Sequence, residues 1–160
     1  MSNSLVVAFG VAILLLVGGG LATPIGAWYR DLRKPRLQPP NWLFGPAWTI
    51  ILGLCAWSAS IAWESTSDPA AHRAIIIVFA VNALCHALWS PLFFKARRPD
   101  WALIEVVFLW TSIVMLLIVL WPISQKAALL NLPYLLWVSF ASWLNWTIVK
   151  LNGPFERGLA

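Results

Sequence analysis

An all-α integral membrane protein, a bundle of five transmembrane helices with its N-terminus outside and its C-terminus inside, is the architecture this sequence predicts, on three observations. Five apolar stretches run roughly 5–27, 42–63, 74–94, 101–121 and 128–149, each close to the ~20 residues a helix needs to cross ~30 Å of hydrocarbon. Hydrophobic residues make up 61% of the 160-residue chain and charged ones 11%, with a mean hydropathy of +0.78, whereas soluble domains use roughly 45–50% and 25%. The basic residues also segregate. Five spans put the first connector, the third connector and the C-terminal tail on one side, which carries Arg30, Arg33, Lys34, Arg36, Lys95, Arg97, Arg98, Lys150 and Arg157; only Arg73 and Lys126 fall on the other. That bias sets the orientation, so the net charge of +5 speaks to the membrane and not to nucleic acid. The apolar runs are continuous where a barrel strand would alternate, and one membrane domain accounts for residues 1–160.

The first stretch resembles a secretory signal with Leu21-Ala22-Thr23 as a cleavage region, but Met1 to Ser4 hold no Lys or Arg, so it is read as a helix. The connector 28–41 is aromatic and stiffened by Pro35, Pro39 and Pro40. Trp28, Tyr29 and Leu32 give one short helical turn an apolar face, and the prolines fix the extended return into Trp42. Two readings stand: Trp and Tyr anchoring helix ends at the interface, or a lid over a cavity. Asn41 is expected to cap the second span and Pro46 to sit in its first turn. Pro91, inside the third span, and Pro133, a turn into the fifth, are expected to bend their helices.

Asn82, His86, Trp89 and Phe93 fall on one stripe of the third span. Facing lipid, the Asn and His would leave polar groups unpaired at roughly 2–7 kcal/mol each, so they point inward, either bonding neighbouring helices or meeting a ligand. His86 has no second intramembrane His beside it, which argues against haem-iron coordination, and no metal site is expected. Ala80, Ala83 and Ala87 make a smaller face; Ala83 and Ala87 permit close approach of a helix, within the chain or from a second copy in a homodimer through the third span. In the fourth span Trp101 and Glu105 are read as sharing a face, with Glu105 pairing Arg97 or Arg98 or taking up protons. In the fifth, Pro133, Trp137, Ala141 and Leu144 share a face with Asn145 beside it, a flat aromatic, a gap and a branched wall that would suit a planar apolar ligand or serve packing. Cys55 and Cys85 lie in spans as small hydrophobes. No catalytic motif appears: there is no GxSxG or HExxH, and Gly18-Gly19-Gly20 has no Lys-Ser/Thr sequel.

Together these residues resemble the translocator protein or tryptophan-rich sensory protein (TspO/MBR) family. Trp28-Tyr29, Leu32, Lys34-Pro35, Pro39-Pro40 and Trp42 look like its WYxxLxKPxxxPPxW segment, followed by Gly45-Pro46-Ala47-Trp48. Trp89-Ser90-Pro91-Leu92-Phe93-Phe94, Ala96-Arg97 and Trp101-Ala102-Leu103-Ile104-Glu105 are similar to its WxPxFFxAR and WAL(V/I)(D/E) patterns, and Pro133-Tyr134, Trp137, Phe140-Ala141 and Leu144-Asn145 to its PYxxWxxFAxxLN ending. The resemblance implies a five-helix bundle, commonly dimeric, with a cavity closed by the first loop and used for porphyrins, sterols and benzodiazepine-type ligands. Family pocket positions transfer to Trp48, Trp101, Trp137, Ala141 and Leu144; with Trp28, Asn82, His86 and Trp89 these form the expected ligand-binding set. Three departures stand out: Asn82 and His86 replace the usual Gln and Asn, Ile51-Leu52 replace Leu-Tyr, and Trp146 stands between Leu144 and Lys150 where the sterol-associated pattern has Tyr.

The expected function is a membrane receptor or sensor for porphyrin or haem-type tetrapyrroles, with no obligatory cofactor. The alternatives are a light-dependent porphyrin-degrading enzyme acting through Trp48 and Trp137, as implied by some bacterial members, and a tetrapyrrole or sterol transporter, which the odd span count and lack of an inverted repeat disfavour. Helical spans suit a bacterial inner membrane, with an outer envelope as the alternative.

Overall fold

The computed structural model describes residues 2–155 and contains no strand among them. The helices are α1 (Asn3–Leu21), α2 (Ala27–Asp31), α3 (Asn41–Glu64), α4 (Pro69–Ser90) continued by a π-helical turn (Pro91–Lys95), α5 (Pro99–Leu120), α6 (Gln125–Leu129) and α7 (Leu132–Asn152). Five segments are long and apolar enough to span a membrane: α1, α3, α4 with its π turn, α5, and α6 with α7. The chain is an integral, multi-pass membrane protein. Arg157, counted on the basic side, lies outside the described residues.

The spans close a ring. α1 packs on α3 and α4, α4 on α5, α5 on α7, and α7 on α3. In the half remote from the first connector the ring is filled by Ala62, Ile75, Leu116, Leu120, Ala127 and Ala128. Ser58 donates to the Ala127 carbonyl at 2.7 Å, and Asn131 Nδ2 donates to the Ser58 hydroxyl at 2.8 Å. Such buried bonds hold helices together where lipid supplies no hydrophobic drive. α1 is different: none of its residues is buried, although it packs along α3 and Ser4 bonds Ser60 and Glu64 there at 3.0 and 2.8 Å.

Several boundaries differ from the sequence reading, each for a local reason. The first span ends at Leu21 and not near 27, because three glycines and then Pro24 withdraw support for further helix. Asn41 is the first helical residue of α3 and not its cap; Pro40 holds the cap position. Pro46 is the sixth residue of α3, so its missing N–H falls within the helix and not in the first turn. The Thr49 hydroxyl bonds the nearby Gly45 carbonyl at 2.9 Å. Pro133 stands at an interruption of the fifth span and not within a continuous helix. It is the second residue of α7, where no N–H is required, and the span is broken before it at Leu130 and Asn131. Pro91 does what its position suggests: the helix widens there into the π turn, with Ala96 N–H reaching the Pro91 carbonyl at 2.9 Å. Arg97, at φ 53°, ends it, and Arg98 N–H returns to the Leu92 carbonyl at 3.1 Å, the arrangement of a left-handed C-cap.

Candidate functional site

In the half of the bundle beside the first connector the ring is not filled. A cavity of about 300 Å³ opens there, with every span contributing to its wall. α3 supplies Phe44, Trp48 and Leu52; α4 supplies His86, Trp89 and Ser90, with Phe93 and Phe94 from the π turn; α5 supplies Val106 and Leu109; α7 supplies Val138, Ala141, Leu144 and Asn145. α1 contributes Leu15, Leu16, Gly19 and Gly20. A Cβ at either glycine would meet no atom within 4 Å, so their bareness leaves volume to the chamber.

Trp48 is the centre of the aromatic wall. Its indole stands edge-on to His86 at 4.8 Å, to Tyr134 at 6.0 Å and to Trp137 at 6.4 Å between ring centroids. These are the edge-to-face geometries that the ring quadrupole favours. His86 Nδ1 lies 3.1 Å from the Tyr134 hydroxyl, and Tyr134 is fully buried. The inward stripe of α4 is therefore real. Its two polar members divide the roles left open by the sequence: His86 lines the cavity, whereas Asn82, 4% exposed, donates to Ser112 of α5 at 2.9 Å and does not reach it.

The first connector roofs the chamber. α2 forms where the apolar triad of Trp28, Tyr29 and Leu32 suggested a helical turn. Tyr29 is buried against Phe93 and Phe94. Its hydroxyl donates to Asn41 Oδ1 at 3.4 Å and accepts from Gln38 Nε2 at 3.3 Å, and this burial pushes the phenol pKa up from its ordinary value. Lys34 folds back over the Tyr29 ring at 4.4 Å and donates to the carbonyls of Tyr29, Arg30 and Leu32 at the C-terminal end of α2. Asn152, at the end of α7, clasps the connector twice: its Oδ1 accepts from Arg33 N–H at 2.8 Å and its Nδ2 donates to the Arg33 carbonyl at 2.8 Å.

Of the nine expected ligand-binding residues, Trp48, His86, Trp89, Ala141 and Leu144 line the cavity; Trp28, Asn82, Trp101 and Trp137 do not. Trp28 packs behind the roof against Phe93 at 6.1 Å. Trp137 stands one ring back, between Phe44 and Trp48. Trp101 does not reach the cavity: it is 42% exposed beneath the Arg98 guanidinium, 4.3 Å away, although it shares a helical face with Glu105, one turn on and 8% exposed. Glu105 does not pair with Arg97 or Arg98: Arg98 is spent on Asp100 and both Glu105 oxygens are buried without a partner among the described residues. Sequence reasoning missed Gln38, Phe44 and the α1 wall. The only signal for the last was the run Gly18-Gly19-Gly20, which removes side chains where an apolar helix would carry them.

Two buried polar atoms of the lining are unpaired, the Trp89 indole N–H and Gln38 Oε1. The lining is mostly apolar and aromatic with a few polar side chains, His86, Gln38 and Asn41 among them, the pattern of a small-molecule site. Among the described residues no three His, Cys, Asp or Glu side chains gather as a metal site would require.

The TspO/MBR family model matches residues 5–151. The chain is 36% identical over 152 residues to the tryptophan-rich protein TspO of Chlorobaculum tepidum, covering 92% of this chain and 96% of that protein. It is 38% identical over 133 residues to the tryptophan-rich protein TspO of Archaeoglobus fulgidus, covering 82% and 84%. It is 26% identical over 132 residues to the human translocator protein, covering 82% and 78%.

Proposed function

Because the chain belongs to the TspO/MBR family, we propose that it is a membrane receptor or sensor that binds a tetrapyrrole, protoporphyrin IX or haem, between its helices. The observation that carries this reading is the cavity itself: an aromatic, roofed chamber in one half of a bundle whose other half is solid. Trp48 and Trp89 offer ring contact, and His86, the Trp89 N–H and Gln38 Oε1 offer polar contacts to a ligand bounded by apolar walls. Arg30 and Arg36, exposed on the connector, lie on the side where propionates would emerge.

At about 300 Å³ the chamber is at the lower end of the ~300–1,000 Å³ typical of ligand pockets. A macrocycle therefore enters by moving a wall, and the connector, a short segment outside the spans, is the wall that would open without parting two of them. Sterol-like and benzodiazepine-type ligands would use the same space. The basic connectors support an N-out, C-in orientation, helical spans suit a bacterial inner membrane with an outer envelope as the alternative, and the exposed Ala80 and Ala87 of α4 suit contact with a second copy.

A second reading, light-driven breakdown of the porphyrin, is favoured by one specific contact. Trp48 lies on the wall and Trp137 edge-on behind it at 6.4 Å, so two indoles stand close to a bound porphyrin, where either would supply an electron or trap a reactive product while dioxygen, activated by the excited porphyrin, oxidises the macrocycle. Purified protein incubated with protoporphyrin IX, in the dark and under light with oxygen, separates the two. The receptor reading expects shifted absorbance bands that persist under light. Loss of the bands in wild type but not in Trp48→Phe or Trp137→Phe would establish the enzyme instead, and unshifted bands in both conditions would overturn both.

A further inference from the structure

A second concavity lies on the outside of the bundle, in the seam between α5 and α7. It is an open groove of about 470 Å³ with Leu103 and Trp110 on one bank and Ser139, Ser142, Trp143 and Trp146 on the other. In a membrane-spanning bundle this groove faces acyl chains. Its surface is largely apolar, and its serines and the Trp110 indole are already spent on the bundle itself. The Trp110 indole N–H donates to Ser139 Oγ at 2.9 Å, Ser139 donates to the Leu135 carbonyl at 2.8 Å, and Ser142 donates to the Val138 carbonyl at 2.7 Å.

One end of the groove is charged. Lys150, one helical turn beyond Trp146, holds its ammonium 4.5 Å from the Trp146 ring. Arg98 stands at the corresponding end of α5, but its charge is answered by Asp100, whereas Lys150 meets no carboxylate within 4 Å among the described residues. A trough of indole edges ending in a cation with no carboxylate beside it among the described residues is complementary to an amphiphile with a hydrocarbon chain and an anionic head. The basic connectors put that end on the side where anionic lipids concentrate.

We propose that the α5–α7 groove is a binding site for an anionic phospholipid, one acyl chain lying along Trp110, Trp143 and Trp146 and the phosphate resting on Lys150. A sterol, being uncharged, would leave the Lys150 ammonium unanswered at the end of the groove. A second copy of the chain docked here about a two-fold axis would bring Lys150 toward its own counterpart, since symmetric contacts oppose like residues at like depth. The site is separate from the central cavity, with Val106 forming the partition between them.

The test uses the full chain in dioleoylphosphatidylcholine vesicles with a trace of spin-labelled phosphatidylglycerol, phosphatidylcholine or cholestane, reading the motionally restricted fraction by electron paramagnetic resonance. The expected result is about a five-fold preference for phosphatidylglycerol over phosphatidylcholine, as one Lys near an anionic surface confers, falling with salt. Lys150→Gln should abolish it, and Ser142→Phe, which fills the groove, should remove it at low salt too. Protoporphyrin binding to both variants should stay unchanged, so failure here is distinguishable from failure of the receptor reading. If Ser142→Phe does not fold, Lys150→Gln decides alone. Equal restriction of the two phospholipids, a preference that survives Lys150→Gln, preferential restriction of the cholestane probe, or cross-links between copies through Trp143 would each overturn the proposal.

Discussion

At the scale of single residues, the site rests on one buried contact, His86 Nδ1 to the Tyr134 hydroxyl at 3.1 Å, with Trp48 edge-on to both rings. Tyr134→Phe removes the hydroxyl and leaves an imidazole nitrogen unpaired in a low-dielectric interior. Intramembrane hydrogen bonds are worth ~0.6–1.7 kcal/mol, so thermal unfolding in detergent should show a loss of about 1 kcal/mol. A milder change at Asn82→Leu is not expected, because Ser112 would then lose its partner inside the α4–α5 contact. The sequence displayed that Asn82 and His86 point inward, since neither tolerates lipid, but it could not say which faces a partner helix and which faces a void. That depends on Ser112 and Tyr134, which arrive from thirty and forty-eight positions away. Trp101 illustrates the opposite limit. A helical period alone cannot tell an inward indole from one lying at the surface under an arginine.

At the scale of elements, the roof is held by a few identifiable contacts. α2 has five residues, too few to be stable alone, and its order comes from Tyr29 in its aromatic slot, Lys34 on its last carbonyls and the double clasp of Asn152. Asn152→Ala should cut the clasp while leaving the bundle intact, and should raise the dissociation rate of bound protoporphyrin about five-fold, in line with ~1 kcal/mol for two exposed hydrogen bonds. Stopped-flow exchange against unlabelled detergent micelles measures it. Tyr29 adds a pH dependence. Its folded pKa is raised by burial, so the neutral phenol stabilises the closed roof, fully below the ordinary value near ~10, and that contribution is lost as pH rises through the folded value. Porphyrin dissociation should therefore be flat from neutral to mildly alkaline pH and accelerate above about 10, and Tyr29→Phe should flatten the profile. The connector's helical turn was legible in its aromatics. The clasp was not, because Asn152 reads as an ordinary polar residue at a helix end until the ring of spans brings it to Arg33, 119 positions away.

At the scale of the whole molecule, five spans close a ring that is packed in one half and hollow in the other. The count of spans was plain from hydropathy because each run approaches the membrane's thickness. Where a span breaks was less plain: Pro133 starts α7 after a break and Pro46 sits inside α3, and the difference is tertiary. The order of the spans around the ring, and the hollow, follow from packing that no local pattern encodes. Orientation is a whole-molecule property too. A cysteine placed at Ser2 should react with a membrane-impermeant maleimide from the outside of intact cells, and one placed at Arg36 should react only after permeabilisation. The most direct test of the central claim fills the hollow. Ala141 lies on the cavity wall, and Ala141→Trp puts an indole where the ligand is proposed to sit. Titrated with protoporphyrin IX and followed by tryptophan quenching, the variant should bind at least ten-fold more weakly than wild type with its thermal unfolding nearly unchanged; wild-type affinity in a folded Ala141→Trp protein would contradict the account.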